Sequence, residues 1–208
     1  MGAIPGTETD WAVVHRLAQM LDGEPHHAFN ITQAYALFTP ILCWTMQRMR
    51  KGDGRGKKFQ RFLQGQRAAA APWSVPLSLH HSRAQHLHLV PEPDDDDIAN
   101  WPVESFLIAL RNAVAHADDR CVVAENDGQT LIGYRFKVEV IRKSPQRSIL
   151  VAGHEQPLSL MAWKGDIVLT EKDMRRIGSH LARRFCEYMT DLTDDERRQA
   201  NAEIGEAA

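Results

Sequence analysis

The sequence predicts a mainly α fold, a bundle of four to five helices with a β-hairpin or small antiparallel sheet inserted before the C-terminal helix. Three observations predict it. Apolar residues recur at three-and-four spacing in several separate stretches, the period of a helix with one buried face. One stretch after Cys121 switches to strict alternation, the period of a half-buried strand. The β segments stand between helices and do not alternate with them, which argues against βαβ units. A chain of 208 residues, 43% hydrophobic and 25% charged, has the length of one domain, can bury a core unaided, and is too apolar to be disordered throughout. No apolar run approaches the roughly 20 residues of a membrane-spanning helix. The three cysteines, Cys43, Cys121 and Cys186, are too scattered for a disulfide framework, which suggests a reducing compartment. The start, MGAIPGTETDW, has no basic segment leading into an apolar one. No signal peptide is expected, and the expected location is the cytoplasm.

Taken in order, Asp10 reads as a cap for a short amphipathic helix with Trp11, Val14, Leu17, Ala18 and Leu21 on one face, ended by Gly23 and Pro25. A longer pattern runs from about Asn30 to Arg50, burying Ile31, Ala34, Leu37, Phe38, Ile41, Leu42, Thr45 and Met49, and Pro40 within it predicts a kink or break. Gly52 to Gly56, GDGRG, reads as a turn. Phe59, Phe62 and Leu63 open a third helix that can continue to Ala71, where Pro72 stops it. From about 72 to 102 five prolines and the four aspartates Asp94 to Asp97 leave no periodicity, so this is a loop insertion. Pro102 suits the first position of the clearest helix, VESFLIALRNAVAHAD, with Phe106, Leu107, Leu110, Ala113 and Val114 as its stripe. Then Ile132, Tyr134, Phe136, Val138 and Val140 alternate with Gly133, Arg135, Lys137 and Glu139. A second β segment at Leu158 to Trp163 precedes a turn at Lys164, Gly165 and Asp166 into Ile167 to Leu169. Thr170 with Asp173 has capping-box spacing for a last helix burying Met174, Ile177, Leu181, Phe185 and Tyr188 or Met189. Residues 1–190 thus read as one domain carrying the loop at about 72–102 and the β insertion at about 130–169. Residues 191–208 form an acidic tail.

A net charge of −2 and a pI near 6.5 give no global nucleic-acid signal, but the charge is unevenly spread. Arg48, Arg50, Lys51, Arg55, Lys57, Lys58, Arg61 and Arg67 share a stretch whose only acid is Asp53. Lys172, Arg176, His180, Arg183 and Arg184 form a basic stripe on the last helix. Each reads either as a solvated helix face or as a place for nucleic-acid phosphates. On the second reading Arg55, Lys57, Lys58, Arg61, Arg176 and Arg183 are the candidate RNA contacts.

The residues that carry chemistry are Arg111, Asn112 and His116 in LRNAVAHAD. Asn112 and His116 are four apart, one turn above the other on one helix face beside Ser105 and Ala109. Arg111 projects to one side on a side chain long enough to swing a guanidinium toward a bound group. The three supply a cation that grips phosphate bidentately, an imidazole that transfers protons near neutrality, and an amide that orients either. This Arg-Asn-x-x-x-His pattern resembles the signature of the HEPN domain family, in which Arg and a polar residue precede a His. The following strands with GYRF, a Trp and a C-terminal helix resemble bacterial members, so the resemblance spans Pro102 to Met189.

The resemblance implies a homodimeric helical bundle with two copies of the motif in one cleft, and RNA cleavage without metal or other cofactor. In that chemistry His116 takes the proton of a 2′-hydroxyl, and Arg111 stabilises charge on the phosphoryl oxygens. A 2′,3′-cyclic phosphate and a 5′-hydroxyl result, with the second His116 of the dimer protonating the leaving oxygen. It further implies a toxin–antitoxin or phage-defence setting, with a nucleotidyltransferase-like antitoxin as partner, and no membrane. Two other readings stay open. Arg111, Asn112 and His116 near a helix C-terminus also suit the capping of orphan carbonyls, and a HEPN-like domain can keep the motif as a non-catalytic module that binds nucleotide, RNA or protein. His80, His81, His86 and His88 form the densest histidine cluster, but without a recognised ligand spacing for a metal. No nucleophile elbow or Cys–His arrangement supports covalent catalysis.

Overall fold

The computed structural model describes residues 9–24, 29–50, 54–76, 101–115, 121–151 and 153–189, with 50, 139–151 and 155–164 described by their backbone alone. His116, the cluster His80 to His88, Asp94 to Asp97 and the acidic tail lie outside the described residues. Among the described residues the fold is mainly helical. It comprises α1 (Thr9–Asp22), α2 (Asn30–Arg50), α3 (Gly54–Gly65), α4 (Val103–Ala115), a sheet of β1 (Val122–Asp127), β2 (Thr130–Val151) and β3 (His154–Thr170), and α5 (Glu171–Met189). The small antiparallel sheet stands before the last helix, as its alternating pattern predicts.

In α1 the buried residues are Ala12, Val14, Ala18 and Leu21. Asp10 is not a cap. The helix begins at Thr9, and the Asp10 carboxylate accepts from Trp44 Nε1 at 3.2 Å and Arg48 Nε at 2.5 Å on α2. A tertiary ion pair thereby outcompetes the local cap. Pro40 does not break α2. It removes a donor from the carbonyl of Ala36, which lies on the exposed side of the helix where water serves instead. The expected turn GDGRG is also corrected, because α3 begins at Gly54 and buries Gly56. α3 ends at Gly65 and does not run to Ala71. Beyond it the backbone is taken by partners that a helix would forfeit: Ala68 N donates to Trp101 O at 3.0 Å, Val75 N to Ala68 O at 2.8 Å and Val103 N to Gln66 O at 2.9 Å. These bonds, with the Arg67–Pro102 bridge, hold the segment after α3 against Trp101 to Val103; most of the expected insertion, residues 77–100, lies outside the described residues.

In the sheet, β2 lies between β1 and β3. β1, which the sequence pattern does not reveal, joins β2 through a two-residue loop whose Gly128 has φ +59°. That is the tight hairpin geometry glycine admits without strain. The expected turn at Lys164 to Asp166 is instead continuous strand, with Lys164, Gly165 and Asp166 opposite Glu139, Val138 and Lys137. β2 is long enough to offer that whole ladder, so the chain reverses only at Gly153, φ +81°. Tyr134, Phe136 and Val138 turn toward the helices: Phe136 and Val138 are buried, and Tyr35 of α2 stacks on Tyr134 with centroids 4.2 Å apart. The outer face carries an ion ladder, Arg135 bonding Glu125 at 2.6 Å and Asp166 at 3.4 Å.

Gly133 makes the junction between sheet and last helix possible. A Cβ there would stand 2.5 Å from the Leu169 carbonyl oxygen, a backbone atom that cannot swing aside. Immediately beyond, Thr170 and Asp173 form the expected capping box, Thr170 N donating to Asp173 Oδ2 at 3.1 Å and Asp173 N to Thr170 Oγ1 at 3.3 Å. Gly133→Ala is therefore expected to destabilise the protein by about 1–3 kcal/mol, read as a lower urea midpoint with unchanged slope. α5 then buries Met174, Ile177, Leu181, Phe185 and Met189, packing against α1, α2 and α3. Gly178 admits the closest approach, since a Cβ would meet Leu21 Cδ2 at 2.7 Å and Phe38 Cδ2 at 3.1 Å.

Candidate functional site

The last turn of α4, the C-terminal half of α2 and the start of α1 share one cleft. Asp10, Cys43, Trp44, Gln47, Arg48, Arg111 and Ala115 line it, and its volume is about 420 Å³. Arg111 stands on the partly exposed side of α4 because its neighbours Leu110 and Ala113 take the buried stripe. Its guanidinium is held in two places: Nη1 donates to Asn112 Oδ1 at 2.9 Å and Nη2 to Gln47 Oε1 at 2.9 Å. Both acceptors are neutral amides, so neither cancels its charge. The opposite wall is electrically closed, with Asp10 paired to Arg48. The described lining groups therefore sum to one net positive charge, on Arg111.

The capping alternative requires Arg111 to donate to the last carbonyls of α4. Its two bonds above run to side-chain amides instead, leaving the guanidinium at the mouth of a cleft. Asn112, expected to orient an imidazole or a ligand, orients the arginine. Ala115, the residue before His116, lines the same cleft. Cys43 sits beside the cation, its thiol pushed above its ordinary pKa by burial and drawn partly back by Arg111, so it is a neutral wall of the site near pH 7.

The candidate RNA contacts are elsewhere, and none of them lines this cleft. Lys57, Lys58 and Arg61 are exposed on α3. Arg55 donates from Nη1 to Met189 O at 3.0 Å, meeting an orphan carbonyl at the end of α5. Arg176 donates to Asp173 Oδ1 at 2.7 Å and to Ser74 O at 2.9 Å. Arg183 pairs with Asp22 at 2.8 Å. Arg176 and Arg183 line a second cavity of about 600 Å³ between α1 and α5, with Asp22, Glu24, Glu171, Arg175, Ser179 and His180. Its three guanidiniums face three carboxylates, so its described lining carries no net charge to draw an anion.

Sequence reading passed over Trp44 and Gln47, and counted Asp10 and Arg48 for other roles. The signal was present: Cys43, Trp44 and Gln47 lie off the apolar stripe of α2, with Arg48 at its edge, and a Trp outside the stripe asks for a partner. Among the described residues no three His, Cys, Asp or Glu side chains gather where they could hold a metal ion, and no helix is long and apolar enough to cross a membrane. No protein-family model, curated protein or solved structure matches the chain.

Two histidines next to aromatic rings give a pH dependence. His15 stacks on Trp11 at 4.7 Å and His180 meets the Trp73 ring edge-on at 4.6 Å. Burial first, then neighbouring arginines, lowers the pKa of both. The unfolded chain therefore takes up these protons at a higher pH than the folded one, and stability falls as pH drops through the unfolded value of 6.5. The expected result is a urea midpoint that decreases from pH 7 to pH 5.5, less steeply in His180→Gln.

Proposed function

We propose that this protein is a metal-independent endoribonuclease of HEPN type, in which His116 and Arg111 cleave RNA by acid–base chemistry. The observation that carries the proposal is the setting of Arg111: a guanidinium held by two neutral amides at the mouth of a cleft, on the helix turn that leads directly into His116. A phosphodiester seated there meets a cation that no carboxylate among the described residues neutralises. Such a pre-oriented group stabilises the phosphorane-like transition state without reorganising at the moment of reaction. His116 removes the 2′-hydroxyl proton, the 2′-oxygen attacks the adjacent phosphorus, and the P–O5′ bond breaks. The products are a 2′,3′-cyclic phosphate and a 5′-hydroxyl. The proton on the leaving oxygen comes from the second His116 of a homodimer whose two-fold interface runs beside α4. A cytoplasmic toxin or phage-defence effector restrained by a nucleotidyltransferase-like antitoxin fits that activity.

The test is incubation of the purified protein with RNA in EDTA, followed by identification of the product ends. Cyclic phosphate and 5′-hydroxyl termini support the proposal. Intact RNA, or 5′-phosphate ends, rejects it and favours a module that only binds. Exposed Lys57, Lys58 and Arg61 give RNA a second, sequence-independent contact. Replacing all three by Gln is expected to lower the slope of log affinity against log salt by about 2, at roughly 0.7 per lost single-strand phosphate contact, with the product ends unchanged.

A further inference from the structure

We infer that the cleft beside Arg111 is a nucleobase subsite, in which a base stacks on Trp44 while the attached phosphate meets the Arg111 guanidinium. The inference deepens the proposed function and rests on it for the role of Arg111. Among the tryptophans whose side chains are described, Trp44 is the one with large exposure, 38%, whereas Trp73 and Trp101 are 0% and 6% exposed. Its indole is already fixed, because Nε1 donates to Asp10 Oδ1 and Asp10 is tied to Arg48. Little freedom is left to lose when a ligand binds. With its only donor engaged, the indole offers a π surface and no hydrogen-bond code, and every base can stack on such a surface.

Charge and spacing select the same ligand. Trp44 and Gln47 are three apart on α2, so the indole stands one helical turn from the amide that holds Arg111 Nη2. That separation is the scale of the ribose that joins a base to its phosphate. The single net positive charge of its described lining suits an anion. Its volume of about 420 Å³ falls in the range of small-molecule sites, roughly 300–1,000 Å³. A protein side chain seeking the same groove would bring either an aromatic or an acid. A nucleotide brings both in one molecule, its ring and its anion joined through the ribose.

Cys43 lines the cleft and reports occupancy, while half-exposed Cys121 lies outside it. The experiment alkylates full-length protein with N-ethylmaleimide at mildly alkaline pH and follows both cysteines by peptide mass. The probes are adenosine 5′-monophosphate, uridine 5′-monophosphate, ribose 5-phosphate and inorganic phosphate. Both nucleotides are expected to slow alkylation at Cys43 and not at Cys121, at concentrations about tenfold lower than ribose 5-phosphate requires. Trp44→Leu should raise the nucleotide concentration needed by about tenfold and leave ribose 5-phosphate unchanged. Trp44→Phe should restore most of the difference, and Arg111→Gln should weaken every probe. Far-UV circular dichroism checks each variant, with Trp44→Gln, which also lacks a stacking ring, carrying the comparison if the Leu variant unfolds. Equal protection by ribose 5-phosphate and nucleotides, or protection indifferent to Trp44, overturns the subsite even if RNA is cleaved. Base-dependent protection without RNA cleavage supports the subsite and rejects only the nuclease reading.

Discussion

Arg111→Ala is expected to lower the rate of RNA cleavage by about 10²–10³, the cost of removing one pre-oriented group from a developing charge, while the thermal midpoint stays near that of the wild type. Arg111 is partly exposed and its bonds run to two side-chain amides on the rim of the cleft, so its loss leaves no buried group stranded. His116→Ala, which removes the proton carrier, should cost about 10²–10⁴. Asn112→Ala and Gln47→Ala should each be milder, by about tenfold, because each deletes one of the two bonds that hold the guanidinium and leaves the other. The measurement is single-turnover cleavage of a defined RNA with product ends identified. Wild-type rates in Arg111→Ala and His116→Ala together would reject the assignment. Mixing His116→Ala chains with wild type should lower activity per wild-type chain if the site is shared across a dimer.

The largest effect on stability is expected at Trp73. Its side chain is wholly buried, and it packs edge-on against His180 of α5 from the segment after α3. Truncation to Ala opens a large cavity between two elements that approach from distant parts of the chain, at a cost of about 3–5 kcal/mol. Trp73→Phe should cost much less. Trp73 Nε1 is buried without a hydrogen-bond partner among the described residues, so the smaller ring loses volume but also removes an unpaired donor whose burial costs about 1–3 kcal/mol. Urea denaturation of the two variants distinguishes these terms. Equal losses would reject the cavity account, because the Phe variant removes far less volume than the Ala variant.

Periodicity determined much of this architecture, because it records which face of each element must leave water. The alternation from Ile132 to Val140 marks β2, whose Phe136 and Val138 are indeed buried, and the apolar stripes of α2 and α5 match the residues packed between helices. Thr170 and Asp173 form their capping box through atoms three residues apart, so the sequence carries it whole. The Arg-Asn-x-x-x-His spacing is equally local, and it marked Arg111 and Asn112 on one turn of α4.

Only the tertiary structure decided where those groups point and what surrounds them. Asp10 reads locally as a cap, yet it meets Trp44 and Arg48 of α2, because an ion pair with a second helix depends on packing that no local pattern encodes. Gly165 reads as a turn, yet it stays in β3 because a partner strand about thirty residues earlier in the chain extends far enough to pair with it. Arg111 is held by an adjacent residue and by Gln47, 64 positions away. The cleft itself exists only where α1, α2 and α4 converge. Local spacing fixes which side chains share a face, whereas partners and cavities arise from long-range packing, where the physical information lies in the distances between elements.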